Sequence, residues 1–329
     1  MTPKTNAPLT TPLLLLTLWL VPLSAFLADG SSFSKAHATG LHASLESLAQ
    51  GLAQHKYENV VVVLGAGVSV NAGIPDFRSP GTGLYSKLED LQLPYPEAIF
   101  ELVYFRKNPQ PFVNVAQAMW PGQDEGPKPT LAHSFLAVLE QQNVLKRVYT
   151  QNIDGLEQMA GVSQERLVEC HGHFSSCSCI QCQQSADLQI CQDTYQKEGQ
   201  VMTCPQCGSY VKPDIVFFGE ELPSIFLDYV YQDMDDCDLL LVMGTSLLVA
   251  PVASIPDWVR PTVPRLLINR ELVGSFAQAA LLGSNSATTR DVFCKGDCDD
   301  GVRAICDLAG EEWANQLKTL HGEVCSSST

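Results

Sequence analysis

The sequence predicts an α/β fold: a Rossmann-like, doubly wound parallel sheet with a smaller lobe formed by a zinc-binding insertion and a helical insertion. Three observations predict it. Short β-branched runs alternate with stretches of helical spacing, the pattern of a sheet covered by helices on both faces. The first of these runs, Asn59–Leu64, ends in a Gly65-Ala66-Gly67 turn. Two segments break the alternation, one rich in Pro, Gly and aromatics and one holding paired cysteines.

Taken in chain order, Lys4 precedes an apolar run, Leu13–Leu23, with small residues Ser24 and Ala25 before Phe26. That run is too short to span a bilayer and fits the core of a secretory-type leader. Residues 1–40 are therefore expected to be a targeting segment and linker outside the fold. Entry through a secretory membrane to an organelle with a reducing interior, a plastid for example, is the reading taken. A mitochondrial presequence ranks second, because no Arg occurs before Arg78. An uncleaved tail on a cytoplasmic or nuclear protein is the alternative. No stable membrane insertion is expected.

The folded domain is expected over residues 41–320, with a tail at 321–329. Leu41, Leu45, Leu48 and Leu52 recur at helical spacing and predict a helix over Leu41–Tyr57. Asn59–Leu64 reads as a buried parallel strand. Val148–Thr150, Ile215–Phe218, Leu239–Gly244 and Arg265–Asn269 read as further strands, with helical character between them, as in His133–Gln142. Residues 81–130 are expected to form loops and a few helices over the sheet, and residues 175–211 to form the zinc-binding insertion.

Composition bounds the function. With 329 residues, 45% of them hydrophobic, the chain can bury a substantial core, so disorder is not the default. The 20 Lys and Arg against 36 Asp and Glu give a net charge of −16, which argues against direct nucleic-acid binding or an anionic lipid surface. Twelve cysteines are too few for a disulfide scaffold. Four of them form two Cys-x-x-Cys pairs, Cys179/Cys182 and Cys204/Cys207, and each pair can bite one side of a tetrahedral metal. With four thiolates no position stays open for water, so one zinc per chain is expected in a structural role. Cys177 is a rival first ligand, set aside because Cys-x-x-Cys is the commoner bite.

Three turns carry the chemistry. Gly65-Ala66-Gly67-Val68-Ser69 at a strand end lets backbone N–H groups approach a pyrophosphate at a helix N-terminus. Gly73-Ile74-Pro75-Asp76-Phe77-Arg78 sets a carboxylate, an aromatic ring and a guanidinium in consecutive positions. Thr150-Gln151-Asn152-Ile153-Asp154-Gly155 follows a strand, where open α/β sheets gather their ligands. Glu169-Cys170-His171-Gly172 adds a candidate general base in His171. Taken singly, each of these could be an ordinary turn with a surface ion pair or a structural histidine; together they point to catalysis.

These motifs, the paired cysteines and Lys212-Pro213-Asp214-Ile215-Val216-Phe217-Phe218-Gly219-Glu220 resemble the sirtuins in order and spacing over roughly residues 45–320. The stretch Pro94–Leu102 resembles the class of the mitochondrial and cytosolic animal deacetylases. The resemblance implies an NAD-dependent protein lysine deacetylase acting on acetylated proteins. In that reaction the acetyl-lysine oxygen attacks C1′ of the nicotinamide ribose and expels nicotinamide. His171 then takes a proton from the ribose hydroxyls, and the acetyl group passes to ADP-ribose.

The resemblance also implies residue roles. Asn152 and Asp154 join His171 as catalytic residues; Asp76, Ile153 and Asp154 line the nicotinamide pocket, and Phe77 shields the reactive carbon. Gln151 and Asn152 hold the ribose. Gly65, Ala66, Gly67, Val68, Ser69, Val70 and Arg78 sit by the phosphates. Thr245 and Ser246 meet phosphate, Asn269, Arg270 and Glu271 meet the adenine ribose, and Cys298 closes over adenine. Ile215, Val216 and Phe218 flank the acyl-lysine, whose peptide is expected to add as a strand between the lobes.

Two departures stand out: Val70 where a Thr is common, and Cys170 where a small residue precedes the His. The acid-selective relatives carry Tyr-x-x-Arg in the acyl pocket, whereas Tyr104-Phe105-Arg106 lacks that spacing, which disfavours succinyl or malonyl substrates. A longer-chain deacylase or a mono-ADP-ribosyltransferase on the same scaffold is the alternative among enzymes, and a zinc-ribbon module that binds acyl-lysine without turnover is the alternative outside them.

Overall fold

The computed structural model describes residues 43–326 apart from 80, 89, 90, 92, 122–125 and 282–289. The expected targeting segment, Leu41 and the last three residues lie outside the described residues. Ten strands are described: β1 (Val60–Leu64), β2 (Leu145–Thr150), β3 (Leu167–Glu169), β4 (Gly172–Cys179), β5 (Ser185–Ala186), β6 (Met202–Thr203), β7 (Tyr210–Ile215), β8 (Leu239–Met243), β9 (Arg265–Asn269) and β10 (Asp291–Lys295). The helices are α1 (Leu45–Ala53), α2 (Leu102–Lys107), α3 (Gln110–Met119), α4 (Leu131–Gln141), α5 (Leu156–Met159), α6 (Leu188–Gln196), α7 (Ser224–Asp236), α8 (Ile255–Trp258), α9 (Gly274–Leu281), α10 (Cys298–Ala309) and α11 (Glu311–Ser326).

The main sheet has six parallel strands in the order β10-β9-β8-β1-β2-β3. Counted within this sheet alone, that is the doubly wound order 3-2-1-4-5-6, whose direction of winding reverses between β1 and β8. All five residues of β1 are buried, because both faces are covered. Val60, Val62 and Leu64 enter one core with Leu48 and Leu52 of α1, Phe135 and Leu139 of α4, and Ile305 of α10. Val61 and Val63 point the other way, into a core with Phe226 and Val230 of α7 and Phe276 of α9. Helix α1 starts at a reciprocal cap, with the Ser44 hydroxyl accepting from Ser47 N at 3.1 Å and the Ser47 hydroxyl accepting from Ser44 N at 2.8 Å.

A second sheet, β5-β4-β7-β6, is antiparallel and belongs to the smaller lobe. Its core is aromatic: Phe105, Phe112 and Phe217 pack edge to face, with Phe112 and Phe217 ring centroids 4.8 Å apart.

The run Ile215–Phe218, expected as a strand of the parallel sheet, behaves differently. Tyr210–Ile215 is β7 of the small antiparallel sheet, and residues 216–218 continue past its end. The apolar character of this run is real, since Ile215 and Phe217 are buried, but they are buried in the small lobe's own core. Strands β3 and β10 were not among the expected ones; both lie at edges of the main sheet and β3 is only three residues long. Among the described residues no helix is long and apolar enough to cross a membrane.

Candidate active site at the switch point of the sheet

Segments at the carboxyl ends of five parallel strands converge on one cavity of about 620 Å³. They are Gly65–Gly67 after β1, Gln151–Ile153 after β2, Gly244–Ser246 after β8, Asn269–Glu271 after β9 and Gly296–Cys298 after β10. The facing wall comes from Phe77, Arg78 and Phe100 and from the loop Ile215–Glu220 of the small lobe, with His171 between the two walls. This is where an open α/β sheet binds ligands.

The glycine turn is dictated by the close approach of the segments that follow the parallel neighbours β1 and β8. Gly67 N donates to Gly244 O at 2.8 Å, and a Cβ on Gly67 would lie 2.7 Å from Gly244 Cα. No side chain fits between the two strand ends. The chain then makes two 3₁₀ turns, Ala66–Val68 and Val70–Ala72, in place of the α-helix expected after the turn. So short a turn contributes little macrodipole, and most of its N–H groups are already engaged: Gly65 N by Met243 O, Gly67 N by Gly244 O, Val68 N by Gly65 O and Ser69 N by Ala66 O.

Asp76 holds its own loop. Its carboxylate accepts from Arg78 N (3.0 Å), Ser79 N (2.7 Å) and the Ser79 hydroxyl (2.5 Å). That fixes Phe77, whose ring meets Phe100 edge-on at 5.9 Å, and leaves the Arg78 guanidinium 5.7 Å from the Tyr85 ring.

Gln151 donates its amide to Leu64 O (3.0 Å) and the Thr245 hydroxyl (2.9 Å), which ties β2 to β1 and β8. The Asn152 amide donates to Gly65 O and the Ser69 hydroxyl, both at 3.3 Å. Ser69 in turn donates to Asp154 at 2.7 Å. Burial raises the Asp154 pKa, while the bonds from Ser69 and from Leu156 N work against that shift.

Most of the expected site residues line the cavity: Gly65, Ala66, Gly67, Val70, Asp76, Phe77, Arg78, Gln151, Asn152, Ile153, His171, Ile215, Val216, Phe218, Thr245, Ser246, Asn269, Arg270, Glu271 and Cys298. Val68, Ser69 and Asp154 do not. Val68 faces the helical core, and Ser69, fully buried, turns its hydroxyl to Asp154, so these two polar groups brace the site from behind.

His171 Nδ1 lies 2.9 Å from Gln151 O. A carbonyl only accepts, so Nδ1 carries the hydrogen and Nε2 keeps its lone pair. Burial lowers the pKa of the ring, with the Gln151 carbonyl opposing, so the imidazole is neutral at neutral pH. Gly172 follows at φ +75°, where a Cβ would lie 1.9 Å from Asp214 O. Cys170 is buried, and burial drives its thiol pKa upward, which keeps it an inert packing group.

The loop after β7 is pinned from below. Lys212 is buried; its Nζ donates to Ile215 O (2.6 Å), pairs with Glu220 (2.9 Å) and sits 4.7 Å from the Phe217 ring centroid. Val216 N donates to His171 O and Phe218 N to Phe100 O, both at 2.8 Å, and Phe217 N donates to Glu220 at 2.8 Å. The N–H groups of residues 216–218 are thus already engaged within the protein. Gly219–Glu220, Leu222 and Leu248–Ala250 also line the cavity. Leu248, 67% exposed, went unnoticed in the sequence because a single apolar loop residue carries no periodic signal.

At the far end of the small sheet the sulfurs of Cys179, Cys182, Cys204 and Cys207 lie within 4.8 Å of one another, with Cys179–Cys207 at 3.4 Å and Cys182–Cys204 at 3.7 Å. A tetrahedral zinc with Zn–S of about 2.3 Å separates its sulfurs by about 3.8 Å, so the donor set fits that ion. Gln181 N donates to Cys179 Sγ at 3.4 Å, which suits a thiolate. Cys177 stands outside the tetrad, buried against Cys191.

A six-stranded doubly wound sheet with a cleft at its switch point, walled by a four-cysteine lobe that also positions a free imidazole nitrogen, defines a class of two-lobed nucleotide-dependent enzymes. Residues 65–251 match the Sir2 family. Over 288 residues the chain is 43% identical to NAD-dependent protein deacetylase sirtuin-2 of Danio rerio, covering 84% of this chain and 74% of that protein. It is 42% identical over 276 residues to NAD-dependent protein deacetylase hst2 of Schizosaccharomyces pombe, covering 84% and 79%. It is 43% identical over 306 residues to NAD-dependent protein deacetylase sirtuin-3 of Mus musculus, covering 91% and 85%. The chain belongs to the Sir2 family.

Proposed function

We propose that this protein is an NAD-dependent protein lysine deacetylase. The single observation that carries this reading is His171 between the strand-end cradle and the small-lobe loop, with Nδ1 committed to Gln151 O and Nε2 free. The names of the family members above support the same activity. Bound NAD⁺ supplies an electrophilic ribose carbon and, once nicotinamide has left, the ADP-ribose that receives the acetyl group.

The chain's own residues do the rest. Gly65–Gly67, Arg78, Val70, Thr245 and Ser246 surround the phosphates, and Asn269, Arg270, Glu271 and Cys298 hold the adenosine end. Asp76 and Ile153 line the nicotinamide subsite, and Phe77 covers it against water. Gln151 and Asn152 orient the ribose, and His171 Nε2 removes the ribose proton. Asp154 acts through Ser69 and Asn152 from behind the wall. Val216 and Phe218 flank the lysine stem, while Ile215, buried in the lobe core, supports them. The peptide lies between Gly219–Glu220 and Leu248–Ala250. One zinc on Cys179, Cys182, Cys204 and Cys207 is structural, since four thiolates leave it no open position.

The test mixes the protein with NAD⁺ and an acetylated peptide, then quantifies nicotinamide, free peptide amine and acetylated ADP-ribose. Equal amounts of the three are expected. ADP-ribose appearing on the peptide, or no nicotinamide release, overturns the reading.

A further inference from the structure

Behind the Gln151–Asp154 turn, on the side away from the cleft, lies a buried polar cluster that the mechanism above does not use. It consists of Thr150 at the end of β2, Glu157 in α5 and His133 in α4. Thr150 and His133 are fully buried and Glu157 is 1% exposed. The Thr150 hydroxyl donates to Glu157 Oε1 at 2.5 Å. The hydroxyl oxygen in turn accepts from Asn152 N at 3.1 Å. Asn152's main chain is therefore linked, through one hydroxyl, to a buried carboxyl group.

His133 completes the cluster. Its Nδ1 accepts from Thr130 N at 3.1 Å, so in the neutral ring the hydrogen sits on Nε2. That Nε2 has no hydrogen-bond partner although it is buried. An imidazole nitrogen and carboxylate oxygens of Asp154 and Glu157 all lie within 4.8 Å of one another. A donor left unpaired beside two carboxyl groups is costly unless the cluster closes around it, through a shared water or a small rotation.

We propose that Glu157, linked through Thr150 and backed by His133, is a positioning residue for the deacetylation reaction: it fixes the turn that presents Gln151 and Asn152 to the cleft and holds Asp154 behind them. The inference rests on the deacetylase reading above. Two carboxyl groups this close, out of water, resist ionising together, so one of them loses its proton only at high pH. Burial and then the Asp154 charge push the Glu157 pKa up to about 8, Glu169 adds in the same direction, and the bond from Thr150 opposes. Cys170 is the other titratable group facing Glu157, and its thiol stays protonated. His133 is held neutral, its pKa lowered to about 4 by burial, with Asp299 opposing. Below about pH 8 Glu157 therefore stays protonated, and any charge of the pair sits on Asp154, whose charge helps to raise Glu157. Above it Glu157 ionises, and repulsion from Asp154 loosens the turn. Turnover is therefore expected to fall as pH rises through about 8.

The experiment measures kcat and the KM values for NAD⁺ and peptide by nicotinamide release from pH 6 to 10, for the full chain and for Glu157→Ala, Glu157→Gln and Thr150→Val. Thr150→Val keeps the volume of the side chain and removes only the link, which guards against a Glu157→Ala protein that does not fold. A displaced catalytic turn costs up to about 10²-fold, so both Glu157→Ala and Thr150→Val are expected to lower kcat by roughly tenfold to a hundredfold. Glu157→Gln keeps the acceptor for Thr150 and cannot ionise. It is expected to recover most of the lost rate and to abolish the alkaline fall. Unchanged kcat in folded Thr150→Val, or an alkaline limb that survives in Glu157→Gln, overturns the inference. So does a second metal ion per chain that disappears in His133→Ala, because the cluster would then be a cation site. A parent protein that releases no nicotinamide overturns the deacetylase reading and this inference together, whereas an active parent with unaffected variants overturns this inference alone.

Discussion

Replacing His171 by Ala separates the chemistry of the site from its architecture. The ring makes one hydrogen bond to the protein, from Nδ1 to Gln151 O at 2.9 Å. Losing it costs about 1 kcal/mol of stability, since water from the open cleft can reach the carbonyl in the space the ring leaves. The main-chain bond from Val216 N to His171 O is untouched, so the small-lobe loop stays in place. The strand ends that cradle the cofactor do not depend on the imidazole, and NAD⁺ affinity should stay within about tenfold, or ~1.4 kcal/mol. What disappears is the free Nε2. Removing a general base costs about 10²–10⁴ in rate, or roughly 2.7–5.4 kcal/mol of barrier. In the parent, the base is competent only when neutral. Its pKa is lowered by burial, so the acidic fall in kcat/KM should lie below pH 6.5, the ordinary value for the group. The assay is nicotinamide release from an acetylated peptide at saturating NAD⁺, with thermal melting as the control. Turnover by a folded His171→Ala protein above about one-tenth of the parent rate would refute the assignment of the base.

Three further outcomes are expected. Gly172→Ala should fail to accumulate as folded protein or should melt far lower, because its Cβ would lie 1.9 Å from Asp214 O at a backbone φ of +75°; a melting temperature equal to the parent's contradicts the geometry. Metal analysis should find one zinc per chain, and chelation should lower the melting temperature; a rate that tracks the identity of a substituted metal ion would count against a structural site. Lys212→Met removes the donor to Ile215 O and the partner of Glu220, so it should raise KM for the acetylated peptide more than KM for NAD⁺; equal effects on both would show that the loop after β7 does not form the peptide side of the cleft.

What the sequence made legible follows from how each signal is encoded. Strand β1 was visible because burial on both faces forces an unbroken β-branched run, and its glycine turn because the close approach of Gly244 after β8 excludes any side chain at Gly67. The cysteine tetrad was visible because metal geometry fixes the spacing of its ligands. The sheet to which Ile215–Phe218 belongs was not, since a buried apolar run looks the same whichever core receives it. Ser69 and Asp154 were legible as polar residues of the site, but their facing each other behind the wall depends on a side-chain direction that spacing does not encode. Glu157 and His133 gave no signal at all. Both sit among helical residues, and the interaction that makes them matter spans from α4 to the end of β2.

The two lobes are joined mechanically as well as by proximity. His171 precedes the first residue of β4, and β4 ends at Cys179, a metal-site thiol. Strand β7 starts three residues after Cys207 and ends at Ile215, at the head of the loop that walls the cleft. One antiparallel pair therefore carries the cysteine staple at one end and the active-site wall at the other, with Gly172 paired to Ile215 and Cys179 to Val211. Because side chains alternate along a strand, a slip of one residue in this pair would turn Ile215 out of the aromatic core and draw Val216 away from His171 O. The lobe's hydrophobic core resists such a slip at both ends, with Ile215 and Phe217 buried at one and Cys179, Ile180 and Val211 at the other. At the metal end the flanking strands β5 and β6 are only two residues each and add few ladder bonds. The metal site adds to that packing in holding the register at the end where the flanking strands are shortest. A site with no open coordination position can thus govern turnover without taking part in it.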